Sequence, residues 1–243
     1  MKISKKSIIA TSLTAMLLLA GCNDDSSTTM MVEETPTPPP PMPVTYSYQL
    51  VVSNLTYAQP MSPVAVVLHD EGALWAIGES ASLELETLAE SGDNTSLLAQ
   101  DIVLAGQSGA GLIMPGMSET IDISIVDNEP SYLSLATMLV NTNDAFTGIN
   151  AMQLSNLAVG ESISVTTSSY DSGTEKNTEA LATIPGPASG GQGEGFNEMR
   201  DDSDKVAMHS GVVTVDDGLS TSALTQAHRF DNPTLKITIS RTN

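Results

Sequence analysis

Cysteine is almost missing from this chain of 243 residues. There is one, so no disulfide can form within the chain and stability has to come from a buried core. Positive charge is the next scarcity: nine Lys and Arg face 29 Asp and Glu, and Lys2, Lys5 and Lys6 stand among the first six residues. The other six, Lys176, Arg200, Lys205, Arg229, Lys236 and Arg241, are scattered, and without a cationic cluster neither nucleic acid nor an anionic lipid patch is a partner. Aromatic residues make up only 4%, and the single tryptophan, Trp75, reads as a core anchor ahead of a sugar-stacking platform. The histidines His69, His209 and His228 lack any His-Glu-x-x-His spacing, which argues against a zinc site. The longest apolar stretch, Ile8 to Leu19, is shorter than the roughly 20 residues that cross a bilayer.

That stretch follows three lysines and ends in Leu19-Ala20-Gly21-Cys22, which places the lone thiol at a bacterial lipobox. The expectation is a signal peptide over 1–21, lipidation of Cys22, and export with lipid anchoring to a bacterial cell membrane, inner or outer leaflet undecided. The N-terminal lipid is then the contact with the membrane. After removal of 1–21, six cations remain against 29 acids, a formal charge of −23. Such acidity suits solubility, salty surroundings or divalent cations. Residues 22–44 hold Asp24-Asp25, then Thr35-Pro-Thr-Pro-Pro-Pro-Pro-Met-Pro43, an extended polyproline spacer. The remaining 45–243 suffice for one domain with a real core.

Within that domain Tyr46, Tyr48, Leu50 and Val52 alternate with polar neighbours, and Val64 to Leu68 is a short branched run bounded by Pro63 and a turn. Ser80 is placed to cap a helix running to Ser91, with Gly92-Asp93 ending it. Ile121, Ile123 and Ile125 alternate, and the turn Asp127-Asn-Glu-Pro130 into Tyr132 to Val140 reads as a hairpin. Further strands are expected over Ser162 to Tyr170, within Val206 to Val215, and over Leu235 to Ile239. Pro185 to Gly195 reads as a flexible surface loop. The fold expected is all-β, an antiparallel β-sandwich with one or two short helices in the connections.

Five blocks, in order, are similar to the spondin N-terminal domain family: Val52-Ser-Asn-Leu-Thr-Tyr-Ala-Gln-Pro-Met-Ser-Pro63, Leu68-His-Asp-Glu-Gly72, Leu133 through Gly148, Tyr170-Asp-Ser-Gly-Thr-Glu175 and Asn232 through Arg241. The resemblance spans roughly Tyr46 to Arg241. It implies a sandwich like those of calcium-dependent membrane-targeting domains, in a family whose animal members are adhesive. It also implies calcium ligands on the motifs containing Asp144 and Asp171.

The residues themselves allow that reading. Calcium takes six to eight oxygens, and loops at one end of a sandwich can gather acids distant in sequence. Asp144 and Asp171 each follow the C-terminal end of an expected strand, so they share one edge if those strands run alike. A third acid would come from Asp122, Asp127 or Glu129. The alternative for each aspartate is a turn residue bonding its own backbone. Glu175 is either a further ligand or a solvated acid near Lys176, and Asp201-Asp-Ser-Asp204 lacks the glycine and distal glutamate of an EF-hand. His69, at a strand end, is a candidate to line a pocket, with a hydrogen-bonding turn histidine as the alternative.

Catalytic motifs are absent: Gly106-Gln-Ser-Gly-Ala110 ends in Ala where a nucleophile elbow has Gly, and Gly109 to Gly116 lacks the lysine of a phosphate loop. The function expected is a non-catalytic, membrane-anchored binding or adhesion module of the cell envelope, calcium-stabilised, with an extracellular protein or glycan as ligand. The alternatives are a structural envelope lipoprotein without a specific ligand and a glycan-cleaving enzyme using paired carboxylates.

Overall fold

The computed structural model describes residues 40–243; Cys22, the signal segment 1–21 and most of the tether lie outside the described residues. In chain order the elements are β1 (Thr45–Asn54), β2 (Ala65–His69), α1 (Leu83–Ser91), α2 (Thr95–Leu98), β3 (Ala105–Ser108), β4 (Ser118–Val126), β5 (Tyr132–Met138), β6 (Ala145–Gln153), β7 (Ser162–Thr167), β8 (Ser169–Asp171), β9 (Ala207–Met208) and β10 (Leu235–Arg241). They form two antiparallel sheets, one ordered β4-β1-β10-β7 and the other β3-β2-β5-β6-β8-β9. The architecture is an all-β sandwich carrying two short α-helices among the described residues.

Alternation on β1, β4 and β10 turns Tyr48, Leu50, Val52, Ile121, Ile123, Leu235, Ile237 and Ile239 inward, where they meet Val66, Leu68, Leu133 and Leu135 of the second sheet. Each such side chain taken from water is worth about 1.5–3 kcal/mol. The unbroken apolar run of β2 has a different cause, because its second face is covered too. Ala65 and Val67 belong to an outer core with Leu85, Leu88, Ala89 and Leu97 of the helices and with Trp75, Phe146 and Val206. Trp75 packs edge-on against Phe146 at 5.1 Å, which makes it a core anchor. The helix begins two residues later than the sequence suggests: Ser82, rather than Ser80, accepts the N–H of Leu85 at 3.2 Å, and Gly92 ends the helix in the left-handed region.

Three connections differ from the sequence reading. The turn after β4 does not close a hairpin, because β4 and β5 lie in different sheets and the segment 127–131 is a sandwich corner. Inward alternation looks the same whichever sheet supplies the partner. Ser162 to Tyr170 is two strands, β7 pairing with β10 and β8 pairing with β6, split at Ser168 where the chain changes sheet. From Val206 to Val215 only Ala207–Met208 is strand, and Val215 enters a short 3-10 turn. The segment directly after Asp144 is the central strand β6, for which the sequence reading has no strand. Its Gly148 is needed there: a Cβ would lie 1.8 Å from the carbonyl oxygen of Leu135, beside the register shift between Leu133 and Leu135.

Candidate metal centre

The two aspartates meet at one rim. Strands β5 and β8 are both antiparallel to β6, so they run alike and end at the same edge. Ala145, the first residue of β6, is registered opposite Asp171, the last of β8, so Asp144 and Asp171 are cross-strand neighbours.

Asp144 is fully buried. Its Oδ2 accepts from Ser172 Oγ at 2.8 Å and from the backbone N–H groups of Thr174 at 3.0 Å and Glu175 at 3.2 Å, while Oδ1 accepts only from Asn143 Nδ2, at 3.2 Å. Burial, with the charge of Asp171 adding to it, pushes Asp144 up to about 7 despite those donors. The Asp171 carboxylate closes an Asx turn onto Gly173 N–H at 2.8 Å and accepts from Asn177 Nδ2 at 2.6 Å.

The loop 172–206 folds back over this rim and brings Glu179, which nothing in the sequence spacing marks, beside His209 and the Asn143 that precedes Asp144. Glu179 is 1% exposed; one oxygen accepts from Val213 N–H at 3.1 Å and the other, Oε2, has no partner. Burial, reinforced by Asp171, raises it to about 7. His209 is buried with Nδ1 accepting from Gly211 N–H at 2.9 Å and Nε2 unpartnered; burial lowers its pKa while Asp171 opposes that shift. Asn143 donates to Asp144 and to the carbonyl of Glu175 at 3.0 Å, leaving its own Oδ1 buried without a donor. Orphaned buried oxygens beside a carboxylate pair are what a hard cation satisfies.

Two other candidates from the sequence lie elsewhere. Asp127 directly follows β4, at the corner leading into β5 and so at the far end of that strand from Asp144, roughly 20 Å away at about 3.3 Å per residue. There it adopts φ +57°, accepts from Val44 N–H at 2.8 Å and donates its own N–H to the Val44 carbonyl at 2.7 Å. It is a turn residue locking the start of β1, not a ligand beside Asp144. Asp122 and Glu129 are also engaged elsewhere, with Gln49 and Arg241 respectively. Replacing Asp127 by Ala is expected to cost about 1 kcal/mol, through the lost hydrogen bond and the left-handed φ, and Asp127→Asn much less; neither should alter any response to calcium in a thermal melt.

His69 is fully buried, not on a cavity wall. Nδ1 meets the Glu71 carbonyl at 2.8 Å and Nε2 meets Ser134 Oγ at 2.9 Å, and Ser134 Oγ in turn accepts Ala151 N–H at 2.8 Å. The ring therefore ties the end of β2 to the bulge between β5 and β6, the bonding role held open for it in the sequence.

Among the described residues no three His, Cys, Asp or Glu side chains gather closely enough to ligate a metal by themselves. A cation at this rim has to draw on neutral oxygens as well as on Asp144 and Asp171. Neither the family models nor the curated proteins searched give a match to this chain.

Proposed function

We propose that this chain is a spondin-type, lipid-anchored binding module of the bacterial cell envelope, in which a calcium ion at the Asp144–Asp171 rim fixes the loops that meet an extracellular protein or glycan. The observation that carries this reading is the pair of neighbouring carboxylates with orphaned, buried Asn143 Oδ1 and Glu179 Oε2 close by. Oδ1 of Asp144, the Asp171 carboxylate and the neutral Asn143 Oδ1 would hold the ion, with water or backbone carbonyls completing its shell. The ion would supply positive charge to a rim that has only acids. Few charged ligands in a loop-built site place the affinity near that of extracellular calcium modules, a Kd of roughly 10⁻⁴–10⁻³ M.

A non-catalytic role is favoured by the burial of Asp144, whose Oδ2 is already held by three close donors and is covered from any substrate. The lipid anchor rests on the lipobox at Cys22 and is tested by incorporation of labelled fatty acid, which Cys22→Ser should abolish.

Calcium at about a hundred times Kd is expected to raise stability by about 2.7 kcal/mol, an increase of about 5–10 °C in Tm for a body of this size. Asp144→Asn and Asp171→Asn should each remove that increase while the metal-free fold persists. A melt indifferent to both calcium and chelator would take the ion out of this account. Screening the processed protein on glycan arrays and cell surfaces, with and without calcium, addresses the ligand; binding that survives chelation would separate the docking face from the ion.

A further inference from the structure

The loop that covers the rim encloses a second feature. Glu175 lines a cavity of about 150 Å³ together with Lys176, Thr178, Thr183, Glu194, Asn197 and Asp201. Its side chain stands out from the other buried acids. Glu90 receives Thr174 Oγ1 at 2.7 Å and Asn197 N–H at 2.8 Å, one on each oxygen. Asp144 is held by Ser172, Thr174 and Glu175, and Glu86 by Arg200. Glu175 is only 7% exposed, yet its carboxylate accepts no hydrogen bond from any described residue, and it faces the cavity.

Nearby cations do not supply the missing partner. Lys176 is exposed at the mouth and reaches Asp201 at 3.4 Å, and Arg200 is committed to Glu86 and Asp204. A mostly buried carboxylate whose oxygens open only onto a small cavity has no protein donor, and a counter-ion entering that cavity relieves the cost of its charge.

We propose that this cavity is a binding site for a primary ammonium group, with Glu175 as its counter-ion. The space is about that of five water molecules at roughly 30 Å³ each, enough for an ammonium head and the end of its alkyl stem. An ammonium carries three rotatable donors on a compact charge. Glu175 takes one, and the hydroxyl and amide oxygens of Thr178, Thr183 and Asn197 stand around the same space for the others. Glu194 and Asp201 at the mouth favour entry of a cation and disfavour anions. A lysine side chain of a partner protein and a free alkylamine share this chemistry.

Two probes separate those sources: n-butylamine and the capped tripeptide acetyl-Gly-Lys-Gly-amide, titrated into the processed protein and followed by amide chemical shifts. The norleucine tripeptide serves as the neutral control. Saturable shifts at the cavity residues are expected, with a Kd on the order of 1 mM for the better probe. A tripeptide at least about tenfold tighter than butylamine assigns the site to a protein lysine, and equal affinities assign it to a free amine. Glu175→Gln should weaken binding about tenfold, Glu194→Gln less, and the exposed, charge-matched Asp202→Asn not at all. Because Glu175→Gln removes a buried charge, it should melt no lower than the parent, so its loss of binding is not a loss of fold. Equal weakening by Asp202→Asn, equal binding of the norleucine peptide, or no saturable shift at the cavity overturns the proposal.

Discussion

In calcium-free buffer the domain is expected to gain stability as the pH falls from about 8 to about 5, the reverse of what its paired surface acids alone would give. Asp144 and Glu179 stand near 7 and Glu175 near 8 in the folded protein, each raised chiefly by burial. In the unfolded chain all three return to about 4. Between those limits the folded state binds protons that the unfolded state does not, so unfolding free energy falls as pH rises, by about 1.4 kcal/mol per pH unit for each such proton. His209 opposes the trend: its pKa is lowered on burial, so the unfolded chain takes up a proton first once the pH drops below about 6.5.

Three acids against one imidazole leave a net gain of several kcal/mol between pH 8 and pH 5. Below about pH 4 the sign reverses, since Asp201, Asp204 and Asp217, held low by Lys176, Arg200 and Thr214, lose their stabilising bonds as they protonate. Urea titrations at half-unit pH steps measure the curve. With saturating calcium the slope above pH 5 should flatten, because an ion that holds Asp144 as a carboxylate removes its preference for the proton. A flat or rising metal-free curve from pH 5 to 8 would mean that these acids are solvated in solution.

Replacing Arg200 by Met should be strongly destabilising. The guanidinium bonds Glu86 of α1, the Ala81 carbonyl at 2.8 Å and Asp204 at 2.6 Å, so one side chain fastens the returning loop to the helix. Glu86 is 2% exposed in its side chain and Arg200 26%. Breaking a fully buried pair from one side costs about 3–5 kcal/mol; the partial exposure of Arg200 lets water reach Glu86 and brings the expected loss to about 2–3 kcal/mol. That corresponds to a fall of roughly 4–12 °C in Tm.

The double replacement Glu86→Gln with Arg200→Met should recover more than half of the loss, because the stranded charge is gone. Hydrogen exchange should rise first at Val206 and Gly78, whose backbone groups join the loop to the segment before α1 at 2.8 Å. Full stability in Arg200→Met would show that the loop is held by its apolar contacts alone.

Much of the sandwich was legible because its inner strands obey period two. Tyr48, Leu50 and Val52, the isoleucines of β4, and Leu235, Ile237 and Ile239 each announce a strand with one wet face. Strand β6 was not legible. Ala145, Gly148, Asn150 and Ala151 have weak strand preference, and the segment is extended only because β5 on one side and, at its start, β8 on the other supply its hydrogen bonds. Nor did the hairpin reading survive at Asp127, since alternation reports which way a side chain faces and is silent about which sheet receives it.

The sequence by itself determined the class of fold, the acidic surface, the dependence on a core without disulfides, and the placement of Asp144 and Asp171 just after strand ends; that those two ends share a rim came from strand direction. Tertiary structure alone decided that Glu179 and His209 join them, that Asp127 does not, and that Glu175 is left facing a cavity. The physical reason is that side-chain facing is a local property repeated every second residue. Desolvation and charge coupling, in contrast, arise only when a loop of more than thirty residues closes over a rim and takes distant acids out of water together.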